Sequence, residues 1–134
     1  MGVALKKKAV ALGIVTTNPD DMLKFYRDTL GFEYQGDMQI PGGGKMHRLM
    51  CGDSMIKIVV PSVAPPATAA PGGIQGATGY RYWTMTVSNI EEMVKACSDG
   101  GYKVVVPISQ IAPGTSIAIV VDPDGNWVEF LSVG

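Results

Sequence analysis

The sequence predicts an α+β fold made of two βαβββ modules, and three observations lead to this prediction. Two helical segments, beginning near Asn18 and Asn89, each follow a short apolar strand. Three strand-like runs follow each helix, so the same order of elements occurs twice. A stretch rich in Pro and Gly separates the two copies. We therefore expect a single domain spanning 1–134, with module 1 at about 8–60, a linker at 61–77 and module 2 at about 78–133.

Module 1 opens with a run of branched apolar residues, Lys8–Thr17, which is typical of a buried strand. Asn18 is placed to cap the following helix, with Pro19 at its first position, and Gly31 is placed to end it. Strands are then predicted at Phe32–Ile40, Met46–Cys51 and Ser54–Val60.

The short connection Gly52-Asp53 predicts a hairpin between the last two strands of module 1. A two-residue loop pairs Cys51 with Ser54 and Arg48 with Lys57, which places Arg48 and Lys57 on one face of the sheet. A three-residue loop would turn the neighbouring His47 to that face instead, so both alternatives stay open at this point.

Module 2 repeats this order. A strand at Tyr80–Ser88 precedes a helix that is capped by Ser88 or Asn89 and ends at Gly100-Gly101. Strands are predicted at Tyr102–Pro107, Ser116–Val121 and Asn126–Val133. The helices of the two modules also match at several positions. A shift of 71 positions aligns Asn18 with Asn89, Met22 with Met93, Lys24 with Lys95 and Asp28 with Asp99.

Composition excludes several classes of protein. The 134 residues are 46% hydrophobic and carry a formal net charge of −1, which does not fit a disordered chain or a nucleic-acid-binding protein. Cys51 and Cys97 are too few for a disulfide scaffold, and no apolar run approaches the roughly 18 residues that span a bilayer. The apolar run after Lys6–Lys8 lacks the cleavage site of a signal peptide. We expect a cytoplasmic protein with no membrane or nucleic-acid partner.

Three segments resemble the vicinal oxygen chelate superfamily, which contains glyoxalase I, bleomycin-resistance proteins, fosfomycin-resistance enzymes and extradiol dioxygenases. Asn18–Phe32 is similar to the superfamily's helix ending in FY and LGF. Asp122–Leu131, with the sequence DPDGNWVEFL, looks like its closing hairpin and last strand, and Gly52–Val60 resembles the last strand of its first module. The resemblance implies curved mixed sheets around a cleft, and it also implies a homodimer.

The resemblance also implies four positions that hold a metal in that superfamily. Carried onto this sequence, they are Ala11, Lys57, Tyr82 and Glu129. Only Glu129 is a usual ligand, because alanine has no donor atom, lysine is a cation and tyrosine stays protonated until about pH 10. His47 is the only histidine and cannot complete a ligand set. We expect neither a metal nor another cofactor.

Alternation along the strands then predicts which side chains line the cleft. The candidate ligand-binding residues are Arg48, Lys57, Tyr82, Trp127 and Glu129. Four of the five have a structural alternative: Lys57 and Glu129 could form a buried ion pair, and Tyr82 and Trp127 could be core residues. Such a set is typical of a site for a small organic molecule, and the two cations make an anionic one acceptable.

Three functions follow from this reading of the sequence. The first is a metal-independent protein that binds a small molecule, as the bleomycin-resistance branch does. The second is a metal-independent enzyme of lyase or isomerase type, in which Glu129 is the catalytic general base and Lys57 or Arg48 stabilises an oxyanion. The third, a metal-dependent lyase or dioxygenase, requires ligands that the sequence lacks.

Overall fold

The computed structural model describes residues 2–134 and contains the two predicted βαβββ modules in order. The chain forms two compact units; the first ends at Pro66 and the second spans Ala67–Gly134. The strands of the first unit are β1 Leu12–Val15, β2 Glu33–Gln39, β3 Gly44–Cys51 and β4 Ser54–Pro61, and its helix α1 Pro19–Leu23 continues as a π-helix over Lys24–Thr29. The second unit contains a 3₁₀ turn Gly73–Gln75, β5 Tyr82–Thr86, α2 Ile90–Asp99, β6 Val104–Ala112, β7 Thr115–Val121 and β8 Trp127–Val133.

The first sheet has the strand order β1-β4-β3-β2, with β1 parallel to β4 and the other pairs antiparallel. Cys51 lies opposite Ser54 and Arg48 opposite Lys57, so the register predicted from a two-residue loop is confirmed. Gly52 takes the φ of +58° that the tight connection needs, a conformation that glycine adopts without steric cost.

The second sheet repeats this arrangement with the order β5-β8-β7-β6 and a parallel β5–β8 pair. Strand β6 runs to Ala112, five residues beyond the predicted end at Pro107. Proline donates no hydrogen bond to a ladder, and it is tolerated here because β6 is an edge strand with shifts in its pairing to β7.

Each helix covers one face of its own sheet. In the first unit, Met22, Phe25 and Tyr26 of the helical segment are fully buried, as are Leu49 and Ile58 of the sheet. Both aromatic residues reach the core because the π-helix, closed by a bond from Leu30 N–H to the Phe25 carbonyl, widens the turn that carries them. In the second unit, α2 contacts β6, β7 and β8, and the buried residues are Ile90, Cys97, Ala118, Ile119, Val120, Val128 and Phe130.

Both helices begin at the asparagines that the sequence predicted as caps, but the capping differs from the expectation. The Asn18 amide donates to Asp21 Oδ2 at 3.2 Å, and the Asn89 amide donates to Glu92 Oε2 at 3.0 Å. Neither side chain accepts a bond from the helix backbone. The two modules thus share one local arrangement at the same point of the repeat.

None of the helices formed by residues 2–134 is long and apolar enough to cross a bilayer.

Candidate functional site

In each sheet, the face opposite its helix, here called the helix-free face, carries the candidate site residues. In the first sheet, Lys57 lies directly opposite Arg48 on β3 and beside Gly13 on β1. The alternate residues of β4, Ile56 and Ile58, are buried on the helix side. Since side chains alternate along a strand, Lys57 and Arg48 project from the same helix-free face.

The two cations of this face differ in their surroundings. Arg48 Nη2 donates to the Gln35 carbonyl at 3.1 Å, and its Nε donates to the Gly36 carbonyl at 3.4 Å. The β2–β3 register shifts between Tyr34 and Gly36, and this irregularity presents both carbonyls to the guanidinium. Within the described chain, Lys57 makes no side-chain hydrogen bond and no ion pair.

His47 is on the other face of β3, which settles the alternative that the sequence left open. Its Nδ1 lies 2.7 Å from Asp37 Oδ1 and 3.3 Å from the Tyr34 hydroxyl. The same irregularity in β2 brings Tyr34 and Asp37 within reach of the same imidazole nitrogen. His47 is therefore part of a polar cluster on the helix side and not of the helix-free face.

On the second sheet, Tyr82 pairs with Trp127 and Thr84 pairs with Glu129 across the parallel β5–β8 ladder. The Thr84 hydroxyl donates to Glu129 Oε1 at 2.6 Å. Ile119, which is 3% exposed, lies opposite Glu129 on β7. The carboxylate thus lies between a hydroxyl and an aliphatic side chain, and Tyr82 and Trp127 continue the same face.

Trp127 contacts a segment that the sequence predicted as a linker. Gly73 is buried and has a φ of +56°, and a Cβ atom at this position would overlap the Trp127 indole. Sequence reasoning missed this contact, because a stretch rich in Pro and Gly has no periodicity to indicate a buried residue. The adjacent Gly72-Gly73 pair was the available signal, since both residues take a positive φ.

Arg81 fixes this segment, and it was not among the predicted site residues. Its Nε donates to the Gly73 carbonyl at 2.7 Å, and its Nη2 donates to the Ala70 carbonyl at 2.7 Å. A longer contact of 3.4 Å reaches the Pro71 carbonyl. We call residues 69–76 the strap, because Arg81 holds them against the start of β8.

Four positions of this chain correspond to metal ligands in the superfamily it resembles, and the residues at these positions cannot bind a divalent cation. In the first unit they are Ala11, which has no donor atom, and Lys57, which is a cation. In the second unit they are Tyr82 and Glu129. One carboxylate oxygen of Glu129 already accepts a hydrogen bond from the Thr84 hydroxyl. Across residues 2–134, no group of three or more His, Cys, Asp or Glu side chains could hold a metal.

Comparisons with known proteins agree with the fold. The model of the Glyoxalase/Bleomycin resistance protein/Dioxygenase superfamily matches residues 8–130. A protein named "Putative glyoxylase CFP32", from Mycobacterium bovis, is 27% identical over 113 residues, which are 84% of this chain and 41% of that protein. The Mycobacterium tuberculosis protein of the same name matches with the same identity and the same coverage. The chain thus spans less than half the length of these curated relatives.

Solved structures share the architecture at lower identity. A glyoxalase family protein from Bacillus cereus superposes with a TM-score of 0.78 at 19% identity, covering 98% of this chain and 96% of that one. A lactoylglutathione lyase from Agrobacterium tumefaciens gives a TM-score of 0.64 at 20% identity, covering 92% and 91%. At these identities the likeness shows the fold alone. The match of the superfamily model to residues 8–130 goes further: the chain belongs to the Glyoxalase/Bleomycin resistance protein/Dioxygenase superfamily.

Proposed function

We propose that this chain binds a small organic anion without a divalent metal, and that Arg48 and Lys57 on the helix-free face of the first sheet recognise its charge. On the helix-free face of the second sheet, Tyr82, Trp127 and Glu129 are proposed to contact organic molecules. One observation carries the proposal: Arg48 and Lys57 lie directly opposite each other on the helix-free face. Like charges in this position destabilise a sheet, and a bound anion would relieve the repulsion.

The chemistry of the second sheet supports an organic ligand. Tyr82 and Trp127 are neighbours on one face, and Leu131 follows Glu129 on the same side of β8. Aromatic and aliphatic groups provide apolar contact area, and a small number of polar groups fix a ligand's orientation. Glu129 would accept a hydrogen bond from a hydroxyl or amine of a ligand on this face.

The binding proposal is tested by native mass spectrometry on protein purified in the presence of EDTA. We expect an added mass of one small organic molecule per chain, and we expect it to be lost from the Arg48→Met/Lys57→Met variant. The matched control is Lys45→Met, because Lys45 lies 3.8 Å from Asp37 Oδ2 on the helix side of the same strand. A ligand-free mass, together with no binding of any compound in a panel of organic acids, would contradict the proposal.

A second candidate function is a metal-independent lyase or isomerase with Glu129 as the general base. The observation that favours it is the Thr84–Glu129 hydrogen bond, which occupies Oε1 and orients the carboxylate. Oε2 accepts no hydrogen bond from the part of the chain that the structure describes, so it can accept a substrate proton. Turnover of the bound molecule in the presence of EDTA separates this function from binding alone.

A further inference from the structure

A cavity of about 290 Å³ lies between the strap and the strands of the second sheet. Gly72 and Gly73 line it from the strap, while Val105, Val121 and Trp127 line it from the sheet. Sites for small molecules have volumes from about 300 Å³ upward and mostly apolar walls with a few polar groups. This cavity is at the lower end of that range and suits a compact ligand.

The cavity has an excess of positive charge. Arg81 and Lys103 line it together with one carboxylate, that of Asp124. The Arg81 guanidinium bonds to backbone carbonyls, which do not neutralise its charge. Lys103 has no ion pair with any carboxylate of residues 2–134. A concave, partly apolar surface concentrates such a field and attracts anions.

One wall of the cavity is rigid before any ligand arrives. The turn that precedes β8 is organised by Asp122, which is only 3% exposed. Its Oδ1 accepts hydrogen bonds from the backbone N–H groups of Asp124 and Asn126, both at 2.9 Å. Its Oδ2 accepts a hydrogen bond from the side-chain amide of Asn126, also at 2.9 Å. Gly125 and Asn126 line the cavity, and these hydrogen bonds already fix their positions. Ligand binding therefore costs less conformational entropy at this wall.

We propose that this cavity binds the carboxylate end of a small organic acid whose flat apolar body contacts the part of the Trp127 indole that lines the cavity. Lys103 forms the ion pair with the carboxylate, and Val105 and Val121 contact the apolar body. The strap fixes the size of the ligand, because Gly73 rests directly on the indole and leaves no room to widen the cavity on that side. This proposal goes beyond the proposed function, because Lys103 of the second sheet, rather than Arg48 or Lys57 of the first, pairs with the anion.

The test uses the full chain labelled with ¹⁵N and two probes of matched shape, 2-naphthoate and its uncharged analogue 2-naphthamide. Titrations followed by NMR report both affinity and location. We expect 2-naphthoate to shift the indole N–H of Trp127 and the amides of Gly72 and Gly73, and to bind at least tenfold more tightly than 2-naphthamide. Lys103→Met should abolish this difference between the probes.

Two control variants separate charge and strap effects from general damage. Lys95→Met removes a lysine that pairs with Asp99 on α2, and Gln75→Ala alters an exposed residue of the 3₁₀ turn that does not line the cavity. Both should keep the preference for 2-naphthoate. Gly73→Ala should weaken the binding of both probes, because the added methyl group pushes the strap away from Trp127.

Two results would overturn the inference, and they are distinguishable. If 2-naphthoate shifts the resonances of Arg48 and Lys57 and binds Lys103→Met unchanged, the cavity assignment is wrong and the proposed function stands. If the wild-type chain binds neither probe and also has no ligand in the native mass experiment, both proposals are wrong.

Discussion

Thr84 and Glu129 are joined across the parallel β5–β8 ladder by a 2.6 Å hydrogen bond from the threonine hydroxyl to Oε1. The equivalent pair in the first unit is Gly13 and Lys57, where no such bond is possible because glycine has no side chain. The internal repeat therefore has a fixed carboxylate in one module and an unbonded ammonium in the other.

Glu129→Gln separates the two candidate functions, because the amide keeps the size of the side chain and one acceptor oxygen but is not a base. If Glu129 is the general base, kcat for the bound compound should fall about 100- to 10,000-fold. Affinity, measured by calorimetry, should then change little. If the chain only binds, affinity should weaken by about 1–3 kcal/mol through loss of a charged hydrogen bond.

Thr84→Val should lower the free energy of unfolding by about 1 kcal/mol, because it removes the donor to Oε1 while keeping a branched side chain. Thr86→Val is the matched control, since Thr86 is on the same strand and face and pairs with the aliphatic Leu131. Urea unfolding measures both variants. Equal losses would show that the hydrogen bond contributes nothing specific.

Metal removal should leave the protein unchanged. The positions occupied by Ala11, Lys57 and Tyr82 offer no ligands to support Glu129, so EDTA should not lower Tm and added Zn²⁺ or Ni²⁺ should not raise it. Elemental analysis should find well below one metal per chain. One metal per chain that disappears in Glu129→Gln would contradict the expectation.

Lys57→Met should affect stability and binding in opposite directions. In the ligand-free protein it removes one of two facing cations, and we expect the free energy of unfolding to stay constant or rise by about 0.5 kcal/mol. Binding of an organic anion should weaken at least tenfold. Arg48→Met should instead destabilise the protein by about 1 kcal/mol, because the bonds to the Gln35 and Gly36 carbonyls are lost. Chemical unfolding and calorimetry measure the two effects.

Cys97 should make stability fall at high pH. Burial raises the pKa of its thiol to about 11, above the ordinary value, so the folded state favours the neutral form. The stabilisation is complete below the pKa of the unfolded thiol, near 8.5, and is lost as pH rises towards 11; its size is about 3 kcal/mol. Cys97→Ala should remove this part of the pH dependence in urea unfolding. Identical slopes between pH 8.5 and 11 for both proteins would disprove it.

Homodimer formation is a prediction from the superfamily resemblance. The edge strands β1 and β5 carry the exposed apolar side chains of Val15 and Tyr82, which favour association. Residues 61–77 are long enough for the modules to pair within one chain or between two. Sedimentation velocity at micromolar concentration should give a dimer, and a monomer would refute this prediction.

Much of the fold could be predicted because its signals are local. The Gly52-Asp53 loop fixed the β3–β4 register, and the register placed Arg48 and Lys57 on one face. The π-helix could not be predicted, because Phe25 and Tyr26 fit an ordinary helix equally well until the core that buries both is known. The prediction that β1 begins at Lys8 was wrong, and the strand begins at Leu12. Apolar residues also occur in extended segments that pair with no strand, so the apolar run did not mark the strand's start.

The strap illustrates why part of the site could not be predicted. Arg81 was read as one residue of a strand, and its acceptors are carbonyls 8 to 11 residues earlier, which have no side-chain signature. Trp127 was placed on the correct strand face by alternation, but alternation cannot show that another segment covers the ring. Contacts between a loop backbone and a side chain depend on the path of the loop. Neither the periodicity of apolar residues nor secondary-structure propensity specifies that path.

The pairing pattern also has a consequence for the order of events during synthesis. All strand ladders of the described chain join strands of the same unit, and the most distant partners in the first unit are β1 and β4. Hence the first four strands can complete their hydrogen bonding as soon as β4 leaves the ribosome, before the second half has been translated. Early closure of this kind shortens the time for which the apolar β4 strand is available to aggregate.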